Sequence, residues 1–291
     1  MAAAPGVTRI IRFLAPDGTT CLGEEPAPGV TRAELLAGNV FDPASLRKTG
    51  ESKDIASLLT PIVPTNIFCI GLNYMKHYEE SAKKRGIALP GRPVVFMKPS
   101  STLLGPHGDI WMPADIEHAE QLDWEVELTA VIGRTCRSVK AEQALEYVLG
   151  YTVGNDVSSR HWQKQAGAGQ WIKGKSFDTF CPLGPVLVTR AAIPDPQALR
   201  VTTRVNGAVQ QDEATADMIF TVAECIAWLS DNMTLLPGTV VMTGTPSGVA
   251  AGRTPPNFLK VGDVVECEIS QIGTIRNTVV MCPHTSESSS L

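Results

Sequence analysis

Alternation of apolar and polar residues, the pattern of half-buried strands, recurs along the chain and predicts a fold rich in β-structure. The stretch "RVNGAVQ" places Asn206-Gly207 between alternating apolar positions, which is the strongest short-range signal for a β-hairpin. "DVVECEISQIGTIRNTVV" predicts another hairpin, and "TRIIRF" followed by "APDGTTCLG" predicts one near the start of the chain. Strands and turns are therefore expected to make up most of the structure.

Helical patterns are short and few: "TRAELLAGN", "NYMKHYEESAKKRG", "SVKAEQALEYVLG" and "TVAECIAWLSDN". The last of them begins with a capping box of Thr221 and Glu224, while Gly86 and Gly150 are predicted to end the second and third. So few helices disfavour a doubly wound α/β fold. We predict a mixed, β-rich α+β fold with few short helices.

Proline and polar residues divide this pattern into three parts. Residues 1–64 carry short strand candidates and the polar segment "RKTGESKD", and they are predicted to form a small N-terminal module. "PIVPTNIF" is punctuated by proline, which avoids central strands, so the main domain is predicted to cover residues 65–282. The tail at 283–291 contains "SESSSL" and is predicted to be disordered.

Composition and charge limit the classes of partner that we expect for this chain. The 291 residues are 43% hydrophobic, enough for a packed core, and the formal net charge is −5. Without a basic run, nucleic acid and anionic membranes are not expected as main partners, because both require clustered Lys and Arg. The expected partner is a small molecule.

The seven cysteines are scattered without a CxxC pair, which is typical of buried thiols in a reducing compartment. No apolar stretch is long enough to span a bilayer, and Arg9 and Arg12 interrupt any signal-peptide core. We expect the cytoplasm as the location. The same two arginines leave a mitochondrial transit segment as the alternative.

Two glutamates interrupt the apolar stretch "LDWEVELTAVIG". Because side chains alternate along a strand, Glu125 and Glu127 are expected on one face, where like charges repel unless a cation or a proton lies between them. An exposed polar face is the common alternative, but the apolar continuation of the strand favours burial. A metal site is therefore one hypothesis.

A third acidic residue, Asp156, follows a short β-like run in "GYTVGNDVSSRHWQ". An aspartate at such a position is more often a turn-former than a ligand. Three carboxylates without His or Cys favour Mg²⁺ or Mn²⁺, with Ca²⁺ less favoured and zinc disfavoured.

Three other segments carry candidate chemistry. His77 and Glu80 lie three residues apart on one helical face, where a glutamate can orient a histidine as a general base, although such pairs are usually solvated. Lys173 or Lys175 in "QWIKGKSFDTF" can stabilise an anion, although most lysines lie at the surface. Thr245, in the turn after "VVMTG", can hold a carboxylate or belong to an ordinary turn.

Taken together, these segments resemble the fumarylacetoacetate hydrolase family from about Ile67 to Val280. The matching blocks occur in the family's order: "GLNYMKHYEE", "FMKPSSTLLGP", "DWEVELTAVIG", "GYTVGNDVSSRHWQ", "GKSFDTFCPLGP", "VNGAVQQ", "LLPGTVVMTGTPSGV" and "VGDVVECEI". The resemblance implies a β-roll or β-sandwich with short helices, a homodimer, and dependence on Mg²⁺ or Mn²⁺.

The resemblance also implies roles for individual residues. Glu125, Glu127 and Asp156 match the metal ligands, and Lys175 matches a lysine that polarises the bound oxo-acid. His77 and Glu80 match a pair that activates water on a helix that orders as a lid. The residues that match substrate-binding positions are Arg160, Gln163, Thr245 and Lys98.

By this resemblance, we expect a metal-dependent hydrolase that cleaves the C–C bond of an acylpyruvate-type 2,4-dioxo acid through a metal-stabilised enolate. The alternatives are an oxaloacetate decarboxylase, a hydroxy-dienoate isomerase and a decarboxylase of secondary metabolism. A non-enzymatic metal-binding scaffold is disfavoured because every site position carries a competent residue. Lys83, Lys84 and Arg85 indicate either a polyanionic or bulky substrate or, more commonly, a solvated helix end.

Overall fold

A mixed, strand-rich fold with few short helices is present in the computed structural model, which describes residues 6–25, 27–42, 44–114 and 119–283. This confirms the predicted fold class. Apart from Pro283, the predicted tail lies outside the described residues. None of the helices in these ranges is long and apolar enough to cross a membrane.

The strands of the first half are β1 (Arg9–Leu14), β2 (Thr20–Glu24), β3 (Arg32–Ala37), β4 (Arg47–Asp54), β5 (Ser57–Leu59), β6 (Asn66–Gly71), β7 (Val94–Lys98), β8 (Leu103–Leu104), β9 (Ile110–Met112), β10 (Leu122–Asp123) and β11 (Val126–Ile132). Those of the second half are β12 (Val148–Asn155), β13 (Ser158–Ser159), β14 (Cys181–Thr189), β15 (Arg200–Val205), β16 (Ala208–Ala214), β17 (Thr239–Met242), β18 (Val264–Ile269) and β19 (Gly273–Met281).

The α-helices are α1 (Met75–Ser81), α2 (Ala141–Ala144), α3 (Arg160–Lys164), α4 (Ile172–Lys175) and α5 (Val222–Ser230). Single 3-10 turns occur at Lys83–Arg85, Ser100–Thr102, Leu145–Tyr147, Thr215–Asp217 and Ala250–Gly252. As the sequence predicts, α5 begins with a capping box between Thr221 and Glu224, and Gly86 ends the α1 segment in the left-handed conformation with φ 72°.

Twelve of the strands form one sheet in the order β4-β3-β2-β1-β14-β12-β11-β17-β6-β7, with β5 and β8 paired off this path, and β10 pairs separately with β13. A five-stranded sheet, β16-β15-β18-β19-β9, packs against its central strands. Every residue of β11, β12 and β14 is buried. The side chains that these strands hold at their ends are therefore fixed by a rigid core.

The predicted hairpins are confirmed. β1 pairs with β2, β15 with β16, and β18 with β19, all antiparallel. Asn206 and Gly207 have φ values of 51° and 79°, as a two-residue hairpin turn requires. β1 also pairs with β14, so strands from both sides of the predicted boundary near Pro64 share one sheet. The independence of the N-terminal module stays a prediction.

Two predicted helices are wrong in whole or in part. "TRAELLAGN" forms β3, because pairing with β2 on one side and β4 on the other outweighs the helix propensity of its Ala, Leu and Glu residues. "SVKAEQALEYVLG" is helical only up to the turn at 145–147. Gly150 does not cap it but lies inside β12, where a Cβ atom would clash with the carbonyl oxygen of Val188.

Candidate metal and substrate site

The paired strands β11 and β12 bring the acidic residues together. Glu127 lies in β11, Glu125 immediately precedes that strand, and Asp156 immediately follows β12. The two strands are antiparallel with Val126 opposite Asn155, so the start of one lies beside the end of the other. One ligand atom from each acidic residue lies within 4.8 Å of the other two. The fold therefore brings the three predicted ligands together, and their role in binding a metal stays a prediction.

All three carboxylates are buried: Glu125 is 6% exposed, Glu127 1% and Asp156 0%. The alternative of an exposed polar strand face is therefore excluded. Buried carboxylates are costly unless they are paired, protonated or bound to a metal ion, so their partners decide what this cluster can hold.

Glu125 and Asp156 have cationic partners. Arg160 Nη2 lies 2.7 Å from Glu125 Oε1, and Lys175 Nζ lies 2.8 Å from Glu125 Oε2. Lys175 Nζ also donates to Asp156 Oδ2 at 2.6 Å, and Lys98 Nζ lies 2.7 Å from Asp156 Oδ1. Although burial opposes ionisation, Lys175 and Arg160 hold the pKa of Glu125 below its ordinary value.

Glu127 has no cationic partner among the described residues. Its Oε2 accepts a hydrogen bond of 2.8 Å from the backbone nitrogen of Gly244. Burial, and then the negative charges of Asp156 and Glu125, raise the pKa of Glu127 well above its ordinary value. This carboxylate therefore needs either a proton or an added cation.

These donors fit a hard divalent cation. The cluster offers only carboxylate oxygens, which favour Mg²⁺ or Mn²⁺ over metals that prefer nitrogen or sulfur. A divalent cation would also neutralise Glu127, which has no cationic side chain beside it among the described residues.

Lys175, at the end of α4, is the cation that bridges the cluster. It is 2% exposed. Burial alone would lower the pKa of its ammonium group, but Asp156 and Glu125 raise it above the ordinary value. In the metal-free site Lys175 is therefore held as an ammonium that donates hydrogen bonds to both carboxylates. The other candidate, Lys173, is exposed, with its ammonium 4.6 Å from the centre of the Phe177 ring.

Lys98, at the end of β7, lies behind Asp156. Its ammonium donates to the backbone carbonyls of Lys175, at 2.5 Å, Phe180, at 2.8 Å, and Val157, at 3.2 Å. It does not line the cavity described below. Its contacts are those of a residue that positions Asp156 and Lys175, and the substrate-binding role implied by the resemblance stays a prediction.

A cavity of about 290 Å³ opens above the acidic cluster. This volume is at the small end of ligand pockets, which range from roughly 300 to 1,000 Å³. Its lining includes predicted site residues, namely Glu125, Glu127, Lys175, His77, Arg160, Gln163 and Thr245. One wall is apolar, because Trp171 packs edge-on against Phe96 with ring centres 5.6 Å apart. Gly71 leaves the space that the Trp171 ring occupies.

His77 and Glu80 form a dyad on α1. His77 Nδ1 lies 2.8 Å from Glu80 Oε1, which leaves Nε2 for the cavity that the histidine lines. Both carboxylate oxygens of Glu80 accept from the backbone nitrogen of Gly248 at 3.0 Å, and Lys76 N donates to Asp217 Oδ2 at 3.0 Å. The short helix is therefore held over the cavity at two points.

Arg160 and Gln163 are oriented together, through a residue for which the sequence predicted no role. Arg160 donates to Gln163 Oε1 at 2.9 Å and to Asp123 Oδ2 at 2.7 Å. Asp123 is 0% exposed and also accepts from the backbone nitrogens of Ala250, at 2.8 Å, and Ala251, at 3.0 Å. Apart from the backbone nitrogen of Trp124, these hydrogen-bond partners of Asp123 lie 37 or more positions away in the sequence, so no local pattern marks its role.

Thr245 is oriented by a second such residue, Gln211 in β16. The side-chain amide of Gln211 donates to Thr245 Oγ1 at 2.8 Å and to the carbonyl of Pro246 at 2.9 Å. Because Thr245 Oγ1 accepts this bond, the hydroxyl hydrogen stays available for a substrate oxygen. The alternative of an ordinary turn is disfavoured, since Thr245 lines the cavity and is 3% exposed.

The chain is similar to known proteins over most of its length. The family model for the fumarylacetoacetate (FAA) hydrolase C-terminal domain matches residues 66–280. The mitochondrial oxaloacetate tautomerase of Xenopus laevis is 47% identical over 230 residues, which are 79% of this chain and 70% of that protein. The human mitochondrial oxaloacetate tautomerase is 44% identical over 225 residues, which are 77% of this chain and 69% of that protein.

Two solved structures share the fold over almost the whole chain. The 2-hydroxyhepta-2,4-diene-1,7-dioate isomerase of Mycobacterium marinum has a TM-score of 0.80 at 38% identity, covering 95% of this chain and 100% of that one. The 5-carboxymethyl-2-hydroxymuconate delta-isomerase of Mycobacterium smegmatis has a TM-score of 0.80 at 37% identity, covering 94% of this chain and 100% of that one. Both names describe isomerases.

Proposed function

The chain belongs to the fumarylacetoacetate hydrolase family, and from that premise we propose that it is a metal-dependent enzyme that tautomerises a 2-oxo dicarboxylic acid. Oxaloacetate is the substrate that the relatives' names support best. In the reaction a C3–H bond breaks and an O–H bond forms on the 2-oxo oxygen, or the reverse. No water is consumed and no carbon–carbon bond is cleaved.

One observation carries this proposal: a single small cavity is lined by two carboxylates of the buried acidic cluster, Glu125 and Glu127, by Lys175 and by His77, whose Nδ1 is bound to Glu80. Glu125, Glu127 and Asp156 would hold Mg²⁺ or Mn²⁺, and such an ion, when bound, withdraws electrons from the 2-oxo group as a Lewis acid. The remaining steps belong to residues of the chain itself.

His77 is the residue suited to move the proton. Glu80 accepts a hydrogen bond from Nδ1–H and so fixes the orientation of the ring. Nε2 is then left to take the proton from C3 and deliver it to the 2-oxo oxygen, or to carry it in the reverse direction. Lys175, which lines the cavity, donates a hydrogen bond to the oxygen on which negative charge develops. The Thr245 hydroxyl donates a hydrogen bond to the substrate carboxylate, and Gln211 orients this hydroxyl by donating to Thr245 Oγ1.

Hydrolysis of an acylpyruvate, the main prediction from the sequence, is the second candidate. The His77–Glu80 dyad favours it, since the same Nε2 can take a proton from a water molecule instead of from carbon. The resemblance supports hydrolysis only at the level of the family, whereas the named relatives are tautomerases and isomerases. We therefore rank proton transfer first and C–C bond cleavage second.

The location and the assembly are also proposals. The relatives from Xenopus laevis and Homo sapiens carry "mitochondrial" in their names, which supports the mitochondrial alternative over the cytoplasm. Imaging of a tagged chain against a mitochondrial marker tests this. The homodimer implied by the resemblance stays a prediction, as does a small oxo-acid as the only main partner.

A panel of three reactions tests the proposed function. Purified protein is treated with a chelator, reloaded with Mg²⁺ or Mn²⁺, and assayed for ketonisation of enol-oxaloacetate, decarboxylation of oxaloacetate and cleavage of acetylpyruvate. We expect metal-dependent ketonisation that Glu127→Gln abolishes. Cleavage of acetylpyruvate without ketonisation would replace the proposal by the hydrolase, and loss of CO₂ without ketonisation would replace it by the decarboxylase.

A further inference from the structure

Two cations on the cavity wall have no role in the proposed proton transfer. Arg85, in the 3-10 turn after α1, and Lys164, at the end of α3, both line the cavity, and both side chains are exposed. Glu127 and Lys175, by contrast, line the same cavity and are 1% and 2% exposed. Arg85 and Lys164 therefore lie where the cavity opens, away from the acidic cluster.

Neither of these cations forms an ion pair with a carboxylate in the described parts of the chain. Arg85 donates through Nε to the carbonyl of Ser81 at 3.1 Å, which leaves its terminal nitrogens for other acceptors. Lys83, on the same turn, is different: its ammonium is 3.0 Å from Glu79 Oε1, and it does not line the cavity. Only Arg85 of the segment "KKR" therefore contributes charge to the cavity wall.

The positive charges at the opening of the cavity favour the binding of an anion there. Lys164 is open to solvent over part of its side chain, yet desolvation at the wall and the positive charges of Arg160 and Arg85 lower its pKa to about 8. Arg160 is itself neutralised by Asp123 and Glu125, whereas Arg85 and Lys164 repel each other and have no acidic partner among the described residues. A carboxylate placed between them would relieve this repulsion.

We infer that Arg85 and Lys164 bind the second carboxylate of a 2-oxo dicarboxylic acid whose 2-oxo acid end faces Glu125, Glu127 and Asp156. The inference rests on the proposed function, and it identifies the residues that would distinguish diacids from monoacids. The carbon chain between the two ends would lie along the apolar wall of Phe96 and Trp171.

Such a clamp also links two parts of the site. Arg85 belongs to the segment that carries His77, and Lys164 belongs to the helix that carries Arg160 and Gln163. A diacid that contacts both would hold the histidine segment against α3 while the 2-oxo end occupies the base of the cavity. A monoacid would leave the two cations unpaired. The expected cost is about 10- to 100-fold in affinity, the scale of a charge-assisted hydrogen bond.

Calorimetric titration of the Mg²⁺-loaded protein tests the inference with three acids. Oxalate is too short to reach the opening and reports only the base of the site, while 2-oxoglutarate and 2-oxopentanoate differ in the second carboxylate. We expect 2-oxoglutarate to bind about 10- to 100-fold more tightly than 2-oxopentanoate. Arg85→Gln and Lys164→Met should remove this preference and leave the oxalate affinity unchanged. Lys83→Met, the matched control, should keep the preference.

The outcomes separate the two claims. If oxalate binds but the two longer acids have equal affinity in the wild type, or if the preference survives in Arg85→Gln and Lys164→Met, the second-carboxylate site is overturned and the proposed function stands. If none of the three acids binds to the Mg²⁺-loaded protein, the proposed function fails and the inference fails with it.

Discussion

Glu80 and Gly248 are joined by two hydrogen bonds of 3.0 Å, from one backbone nitrogen to both oxygens of one carboxylate, across 168 positions of the sequence. The same carboxylate lies 2.8 Å from His77 Nδ1. The turn after β17 therefore fixes the acid that orients the histidine. The sequence predicted the His77–Glu80 dyad on one helix face, but the position of the dyad depends on the distant loop that contains Gly248.

Removing the Glu80 carboxylate should affect turnover more than binding. In Glu80→Ala, His77 loses the partner at Nδ1, and we expect kcat to fall by about 10²- to 10⁴-fold, the usual contribution of general acid–base catalysis, with a smaller change in KM. Glu80→Gln keeps a hydrogen-bond acceptor and should lose less. Steady-state kinetics of both variants, with circular dichroism to confirm folding, check this. A wild-type kcat in Glu80→Ala would exclude the dyad from the reaction.

Metal binding should become tighter as the pH rises. Burial, then Asp156 and Glu125, raise the pKa of Glu127, so the metal-free site retains a proton that a divalent ion must displace. The apparent affinity for Mn²⁺ should therefore increase with pH, and binding should release protons. Titration calorimetry in buffers of different ionisation enthalpy measures both. Glu127→Gln should bind Mn²⁺ at least about 10-fold more weakly and lose this proton release. Equal proton release in the variant would contradict the assignment.

Lys98 should matter for stability because it is a buried charge with a buried partner. Lys98→Met leaves Asp156 with Lys175 as its one remaining cationic partner within the described residues and removes three hydrogen bonds to backbone carbonyls. We expect the free energy of unfolding of the metal-free protein to fall by about 3–5 kcal/mol in urea denaturation. Lys83→Met removes only an exposed ion pair and should change it by less than about 1 kcal/mol. Equal effects of the two substitutions would refute the positioning role.

The preference for a diacid should weaken in alkaline solution. Desolvation, and then the positive charges of Arg160 and Arg85, lower the pKa of Lys164 to about 8, while Asp123 and Glu125 oppose this shift. As the pH rises past 8, Lys164 in the free enzyme loses its proton, so the KM of a diacid should rise relative to that of a monoacid. Lys164→Arg keeps the charge and should flatten this dependence. Parallel pH profiles for the wild type and Lys164→Arg would count against the role of Lys164.

The local sequence pattern was sufficient to predict those features that depend on neighbouring residues in the chain. The alternation around Glu125 and Glu127 predicted their shared side, and the Asn206-Gly207 turn and the Thr221 capping box formed as expected. The β3 segment was predicted as a helix because its composition favours one, whereas two flanking strands determine its conformation. Pairing partners far along the chain are not encoded in the segment itself.

The supporting residues of the site were missed for the same reason. Asp123 contacts a side chain in α3 and the backbone amides of Ala250 and Ala251, and Gln211 reaches from β16 to Thr245. Both look like ordinary polar positions in sequence. Their roles exist only once the sheets are assembled, since each bond joins elements that are adjacent only in the fold.

Hydrogen exchange at C3 is the most direct test of the central claim, that this site moves a proton next to a 2-oxo group. The initial rate of deuterium incorporation into oxaloacetate is followed by proton NMR in D₂O, against a protein-free blank. The account predicts that the Mg²⁺-loaded protein exchanges C3 hydrogens well above the blank rate, while the chelated protein and His77→Gln do not. Exchange at the blank rate by a Mg²⁺-loaded protein that cleaves acetylpyruvate would contradict the account and establish hydrolysis instead.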